Sequence, residues 1–120
     1  MTQIERQFLR TSAWMFMRHG QRSRAKSLCA ALVEDDPRDG VSAAAYAELL
    51  LDDGEAPAAL SVLREADFPK SLLYAEAVLE TRALRDTGRA SEADARWRRY
   101  LASQKGAGRR WVNPSNDVAK

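Results

Sequence analysis

Apolar residues in this chain recur at helical spacing. Near the C-terminal end, Trp97 and Tyr100 are three apart and Leu101 lies four beyond Trp97, which makes a single stripe on a helix. No apolar–polar alternation of strand length is present, so an all-β fold is not expected. The same punctuation returns along the chain. Gly20, Gly54 and Gly88 are spaced by 34 residues in both intervals. Five residues after each stands an alanine (Ala25, Ala59, Ala93), and four before each a large apolar residue (Phe16, Leu50, Leu84). Nine after each comes another apolar position, Cys29, Leu63 and Trp97. Four columns in register across three copies imply a repeat of one supersecondary unit.

A 34-residue period is that of the tetratricopeptide repeat, a helix–turn–helix unit. Each column has a physical reason. The glycine ends the first helix of a pair in the left-handed region, which an L-residue enters at a cost of roughly 1 kcal/mol or more. The alanine marks where two helices cross closely, and the apolar columns form the ridge between them. The expectation is therefore an all-α helical-repeat solenoid of three tetratricopeptide-like pairs, with helices at about 3–18, 23–34, 41–51, 56–65, 70–85 and 91–104. The repeats run about 6–39, 40–73 and 74–107 in a domain spanning 1–105. Asp39 is an expected N-cap, Ser91 a candidate one, and Pro57 fits a first helical turn. Pro37 closes the first unit, and its counterpart is displaced to Pro69 in the second. The tail 106–120 leaves the pattern: Gly106 and Gly108 are expected to end the last helix, and Pro114 to forbid a long one after it. Trp111 continues the register, so the tail either caps the last helix or frays.

Composition narrows the class. With 45% hydrophobic and 30% charged residues, 120 positions suffice for one modest core. A net charge of +2 is small for a dedicated nucleic-acid binder. The one cysteine, Cys29, forms no internal disulfide and fits a reducing compartment. The N-terminal stretch carries Glu5, Arg6 and Arg10 and does not read as a signal peptide. The stretch "VSAAAYAELLL" is broken by Glu48 and too short to span a bilayer. A cytoplasmic protein is expected.

Candidate chemistry is thin. Gly88 opens no phosphate loop, since neither G-x-x-x-x-G-K-[ST] nor G-x-G-x-x-G occurs. His19 is the only histidine and has no ligand cluster at metal spacing, so neither metal nor cofactor is expected. The pairs Asp35–Asp36 and Asp52–Asp53 lie beside inter-helix turns and read as solvated, not as an acid–base couple. Arg18, Asp52 and Asp86 share one register and are expected to offer charges to a partner. Arg96 and Arg99, with Arg109 and Arg110, make the case for an RNA grip, but the apolar stripe of Trp97, Tyr100 and Leu101 reads more simply as packing flanked by solvated arginines. No enzyme is expected.

What remains is a surface. First helices of stacked pairs line the concave side of such solenoids. Positions expected to face that groove are Arg10, Trp14 and Met17, then Val41, Ala44, Glu48 and Leu51, then Ala75, Val78 and Arg82. An apolar groove with charged rims suits a docked amphipathic helix; the alternative is that Trp14 and Met17 are simply core. The first helix carries Phe8, Leu9, Trp14, Met15, Phe16 and Met17, apolar on more than one face, and such a helix needs cover on both sides.

At this level the chain resembles the type III secretion chaperones of the SctY (YscY) type. The resemblance rests on Arg6, Phe8 and Leu9 as an Arg-x-x-Phe-Leu-like opening, an aromatic at Trp14, Gly20, the Arg24–Ala25 pair, the leucine-rich second helix and Pro37. It covers roughly residues 4–104 and is carried mostly by the first repeat. It implies a chaperone that holds a small export-apparatus protein, SctX-like, as a heterodimer in the bacterial cytoplasm and engages the export gate, SctV-like. Needle-subunit co-chaperones of the SctG type and generic tetratricopeptide adaptors are the alternatives.

Overall fold

The computed structural model describes residues 1–108, with side chains through Lys105. Six α-helices follow one another: α1 Gln3–Arg18, α2 Arg22–Asp35, α3 Gly40–Asp52, α4 Ala56–Glu65, α5 Leu73–Asp86 and α6 Ala90–Gly108. They form three helix hairpins, α1/α2, α3/α4 and α5/α6, and each hairpin packs on the next. The result is an all-α helical-repeat fold measuring 53 × 35 × 26 Å.

Three identical turns build the hairpins. Gly20, Gly54 and Gly88 have φ of 73°, 78° and 79°. In the first, the Gln21 N–H donates to the Phe16 carbonyl (2.8 Å) and the Gly20 N–H to that of Met17 (3.2 Å). Glu55 to Leu50 and Gly54 to Leu51 repeat the pattern, as do Arg89 to Leu84 and Gly88 to Arg85. These paired bonds satisfy helix-terminal carbonyls and require the left-handed residue between them. The next helix starts at once, so α2 and α4 begin with no side-chain cap. Where the chain instead passes from one hairpin to the next, Asp39 caps α3: its carboxylate accepts from the Val41 and Ser42 amides.

The packing columns are where the repeat places them. Ala25, Ala59 and Ala93 are completely buried, and any larger side chain there would part the helices. Leu50, Leu84, Cys29 and Leu63 are also buried, while Phe16 and Trp97, at the two ends of the stack, are half-buried. One core cluster joins α3, α4, α5 and α6 around Leu50, Leu51, Leu60, Leu63 and Leu84. A smaller one joins α1, α2 and α3 around Ala13, Ala25, Cys29 and Leu49.

Three boundaries differ from the sequence expectation. The helix expected over 70–85 begins as a 3₁₀ turn at Lys70–Leu72 behind Pro69, and α-helical bonding starts at Leu73. Ser91 is not a cap but lies inside the first turn of α6, because the Gly88 turn leads straight into Ala90. Gly106 does not stop α6, which runs to Gly108; a glycine costs a helix about 1 kcal/mol, too little to end one already sixteen residues long. The expected roles of Trp111 and Pro114 lie outside the described residues. One feature escaped the periodicity altogether. Gly40, the first residue of α3, lies against the backbone of Asp67 and Phe68, where a Cβ has no room. The Asp67 N–H donates to the Arg38 carbonyl there (2.9 Å), tying the link after α4 to the start of α3.

Candidate partner-binding groove

Helices α1 and α3 lie side by side over α2 and leave between them a groove of about 510 Å³. Its walls are Arg10, Trp14 and Met17 from α1 and Val41, Ala45 and Glu48 from α3. Cys29 and Leu32 of α2, with Leu49, form its buried floor. The α1 wall is unusually open for apolar side chains: Trp14 is 56% exposed and Met17 40%. The Arg18 guanidinium sits 4.8 Å from the centroid of the Trp14 ring, a cation–π contact that orients the indole at the groove's edge.

Five of the ten expected positions thus meet in one place: Arg10, Trp14, Met17, Val41 and Glu48. The others do not join them. Leu51 is core, 3% exposed and packed with Ala47, Leu50 and Leu84; α5 covers the face of α3 whose counterpart on α1 is left bare. Ala44 is half-buried, and its neighbour Ala45 takes the wall position instead. Ala75 is half-buried on α5. Val78 and Arg82 border a separate shallow hollow of about 280 Å³ beside Trp97. Arg82 is also tied to Asp52 (3.0 Å), so no continuous groove runs across all three first helices. The floor from α2 was not anticipated, because facing register relates first helices alone.

A buried ion network anchors the α1 wall, and the sequence reading missed it. Arg6 is 7% exposed. Its guanidinium donates to Asp35 (2.6 Å), to Asp39 and to the Leu32 carbonyl (3.2 Å). Arg10 donates from Nη2 to the same Asp39 oxygen (2.8 Å), as does the Ser42 hydroxyl (2.7 Å). Burial alone would push the Asp39 carboxyl up, but hydrogen bonds from Ser42, Arg6 and Arg10 outweigh it and hold the group well below the usual carboxylate range. For Arg6, burial acts to lower the pKa, and the bonds to Asp39 and Asp35 outweigh it. The available signal was Arg6 itself: it stands two helical turns before Ala13, on the face that packs inward.

Charges expected to await a partner are engaged internally. Arg22 pairs with Asp52 (3.1 Å) and Asp53 (2.9 Å), and Lys26 with Asp53 (2.7 Å) and Glu55 (3.2 Å). Asp86 lies 3.8 Å from Arg82, and Arg18 is on Trp14. Each exposed pair is weak on its own because water screens it; together they stitch α2 to the α3/α4 turn and α5 to α3. Of the arginines in the RNA reading, Arg96 is engaged in the same way. Arg96 Nε donates to Glu80 (2.8 Å) with both side chains almost buried, and Arg99 lies 3.8 Å from the same carboxylate. Trp97 stacks on Tyr100 with centroids 5.4 Å apart, and Tyr74 packs on both. Arg109 and Arg110 lie outside the described residues.

The remaining polar candidates offer little chemistry. His19 caps the C-terminus of α1, and no metal-holding cluster of acidic, histidine and cysteine residues occurs among the described residues. Burial pushes the Cys29 thiol up, which disfavours the reactive thiolate. Among the described residues no helix is long and apolar enough to cross a membrane. Neither protein-family models nor curated proteins give a match to this chain.

Proposed function

We propose that this chain is a non-enzymatic binding protein that takes up a helix of a small client in the groove between α1 and α3. In this reading it serves as a cytoplasmic type III secretion chaperone of the tetratricopeptide kind that its first repeat resembles. The client is a small export-apparatus protein, SctX-like, held as a heterodimer and brought to an SctV-like export gate. One observation carries the reading: Trp14 and Met17 stand open to solvent on the wall of an apolar-floored groove. Aromatic and methionine side chains at such a place are the usual anchors of a helix-in-groove interface. A bound client would cover them and stabilise both chains by mass action.

Co-expression with the small reading frames neighbouring its gene tests this. The expected result is a 1:1 complex that Trp14→Ala weakens by more than about 1 kcal/mol and Trp14→Glu disrupts. A complex that survives Trp14→Glu with unchanged affinity sinks the groove assignment. Capture of a needle subunit in place of an export-apparatus protein would turn the reading to the SctG-type co-chaperones.

A further inference from the structure

Two charged residues border the groove, and they stand at different ends of it. Arg10 is held at the start of α3 through its bond to Asp39. Glu48 lies nine residues further along α3, about 13 Å at the helical rise. It makes no ion pair among the described residues and is exposed.

The Arg10 side chain is 37% exposed, and of its guanidinium only Nη2 is bonded among the described residues, to Asp39, which leaves donors to spare. Its Nε, however, is shut off from solvent and has no hydrogen-bond partner among the described residues. Asp39 cannot supply one. Its Oδ1 already accepts from two backbone amides, and its Oδ2 from Arg6, Arg10 and Ser42. A charged donor left without an acceptor is costly, and the groove's floor of Cys29, Leu32 and Leu49 has no carboxylate to offer. Nε itself is closed to an occupant, but the exposed part of the same guanidinium is not, and a carboxylate on the occupant pairs with it there.

We infer that the occupant is an amphipathic helix bearing a carboxylate at one edge of its apolar face and a lysine or arginine two to three turns away, the first accepting from Arg10 and the second pairing with Glu48. This rests on the reading of the groove as a helix-binding site. The intervening apolar residues meet Trp14, Met17 and Val41. A nucleic acid does not fit the pattern, because its single sign of charge is repelled at Glu48.

The test uses the full chain and labelled 18-residue amphipathic peptides followed by fluorescence anisotropy. One peptide carries Glu and Lys eight residues apart at the edge of a leucine face, a second has the two exchanged to allow for either direction, and a third has Gln at both. One charged peptide is expected to bind about tenfold tighter than the Gln peptide. Arg10→Lys, which keeps a cation for Asp39 but removes the guanidinium fork, should erase most of that preference. Glu48→Lys should weaken the preferred peptide about threefold, and replacing the peptide's Lys by Glu should restore it. Equal binding of all three peptides, still abolished by Trp14→Glu, overturns the charged pattern and leaves the groove reading standing. Binding of no peptide, or binding indifferent to Trp14→Glu, overturns the groove reading and this proposal with it. A concentration-dependent dimer that Trp14→Glu dissolves places a second copy in the groove and also overturns the proposal.

Discussion

Helices α1 and α3 hold the same place in successive repeats, yet their surroundings are opposite. In α3 seven residues are buried, among them Leu49, Leu50 and Leu51. In α1 only Arg6 and Ala13 are, although the helix is at least as rich in large apolar side chains. Ile4 is 81% exposed and Phe8 70%, and neither lines the groove shared with α3. The difference is one of neighbours. Helix α3 packs on α2, α4 and α5, whereas α1 packs closely on α2 alone among the described residues. Burial in a stacked repeat is therefore a property of position in the stack as much as of side-chain type. The end helix is where apolar surface is left for another molecule.

The sharpest way to break this comparison is to truncate equivalent ridge residues. Leu50→Ala should cost about 4 kcal/mol in urea unfolding, by lost transfer energy and a cavity in the larger core. Phe16→Ala, four residues before the corresponding glycine of α1 but only half-buried, should cost about 2 kcal/mol. Equal losses would mean that α1 is as well covered as α3.

Next in size is the polar link between the two helices. Asp39→Ala removes a helix cap and leaves the buried Arg6 with Asp35 as its one remaining carboxylate, for an expected loss of about 3 kcal/mol. The same group makes stability depend on pH with a definite sign. Asp39's pKa is depressed in the folded chain, so its contribution is complete above the unfolded value of about 3.9 and is lost as pH falls below it. In Asp39→Asn, unfolding followed by circular dichroism should lose part of its dependence on acid below about pH 4. A variant with the same acid limb as the parent would show that the network does not stabilise the fold.

Smaller effects come from the turns. Gly20→Ala, Gly54→Ala and Gly88→Ala meet no neighbour within 4 Å, so each should cost about 1 kcal/mol of backbone strain alone. Gly40→Ala should exceed them, because its Cβ meets the Asp67 and Phe68 backbone. If all four cost the same in thermal unfolding, the packing of Gly40 is not tight. The smallest effect is expected on the open wall. Trp14→Ala should change the stability of the chain alone by less than about 0.5 kcal/mol, while weakening a client complex by more than about 1 kcal/mol. A large loss in the free chain would make Trp14 a core residue after all.

Periodic features were legible before any coordinates. The 34-residue spacing placed every hairpin turn, and the alanine column the points of closest approach. Asp39 as cap and Pro57 in the first turn of α4 followed from local preference. All of these depend on the backbone or on a neighbour within one repeat unit, so the repeat carries them. Half of the groove was legible for the same reason, since Trp14, Met17 and Glu48 follow from facing register.

What the sequence could not yield is set by contacts that do not repeat. The register position of Arg6 is held by Gly40 and Tyr74 in the next two units. The first reaches into an ion network, the second lies flat against a loop, and the third stacks on α6. One column has three fates, because each depends on a partner some 23 to 33 residues away. Leu51 is core and not groove for the same cause: α5 happens to cover it. The sequence by itself determined three helix hairpins and their turns, through local backbone energetics and close-packing points. Only the tertiary structure decided which apolar faces are covered, which charges are already paired, and that the open groove lies at the α1 end, because those are questions of who stands next to whom.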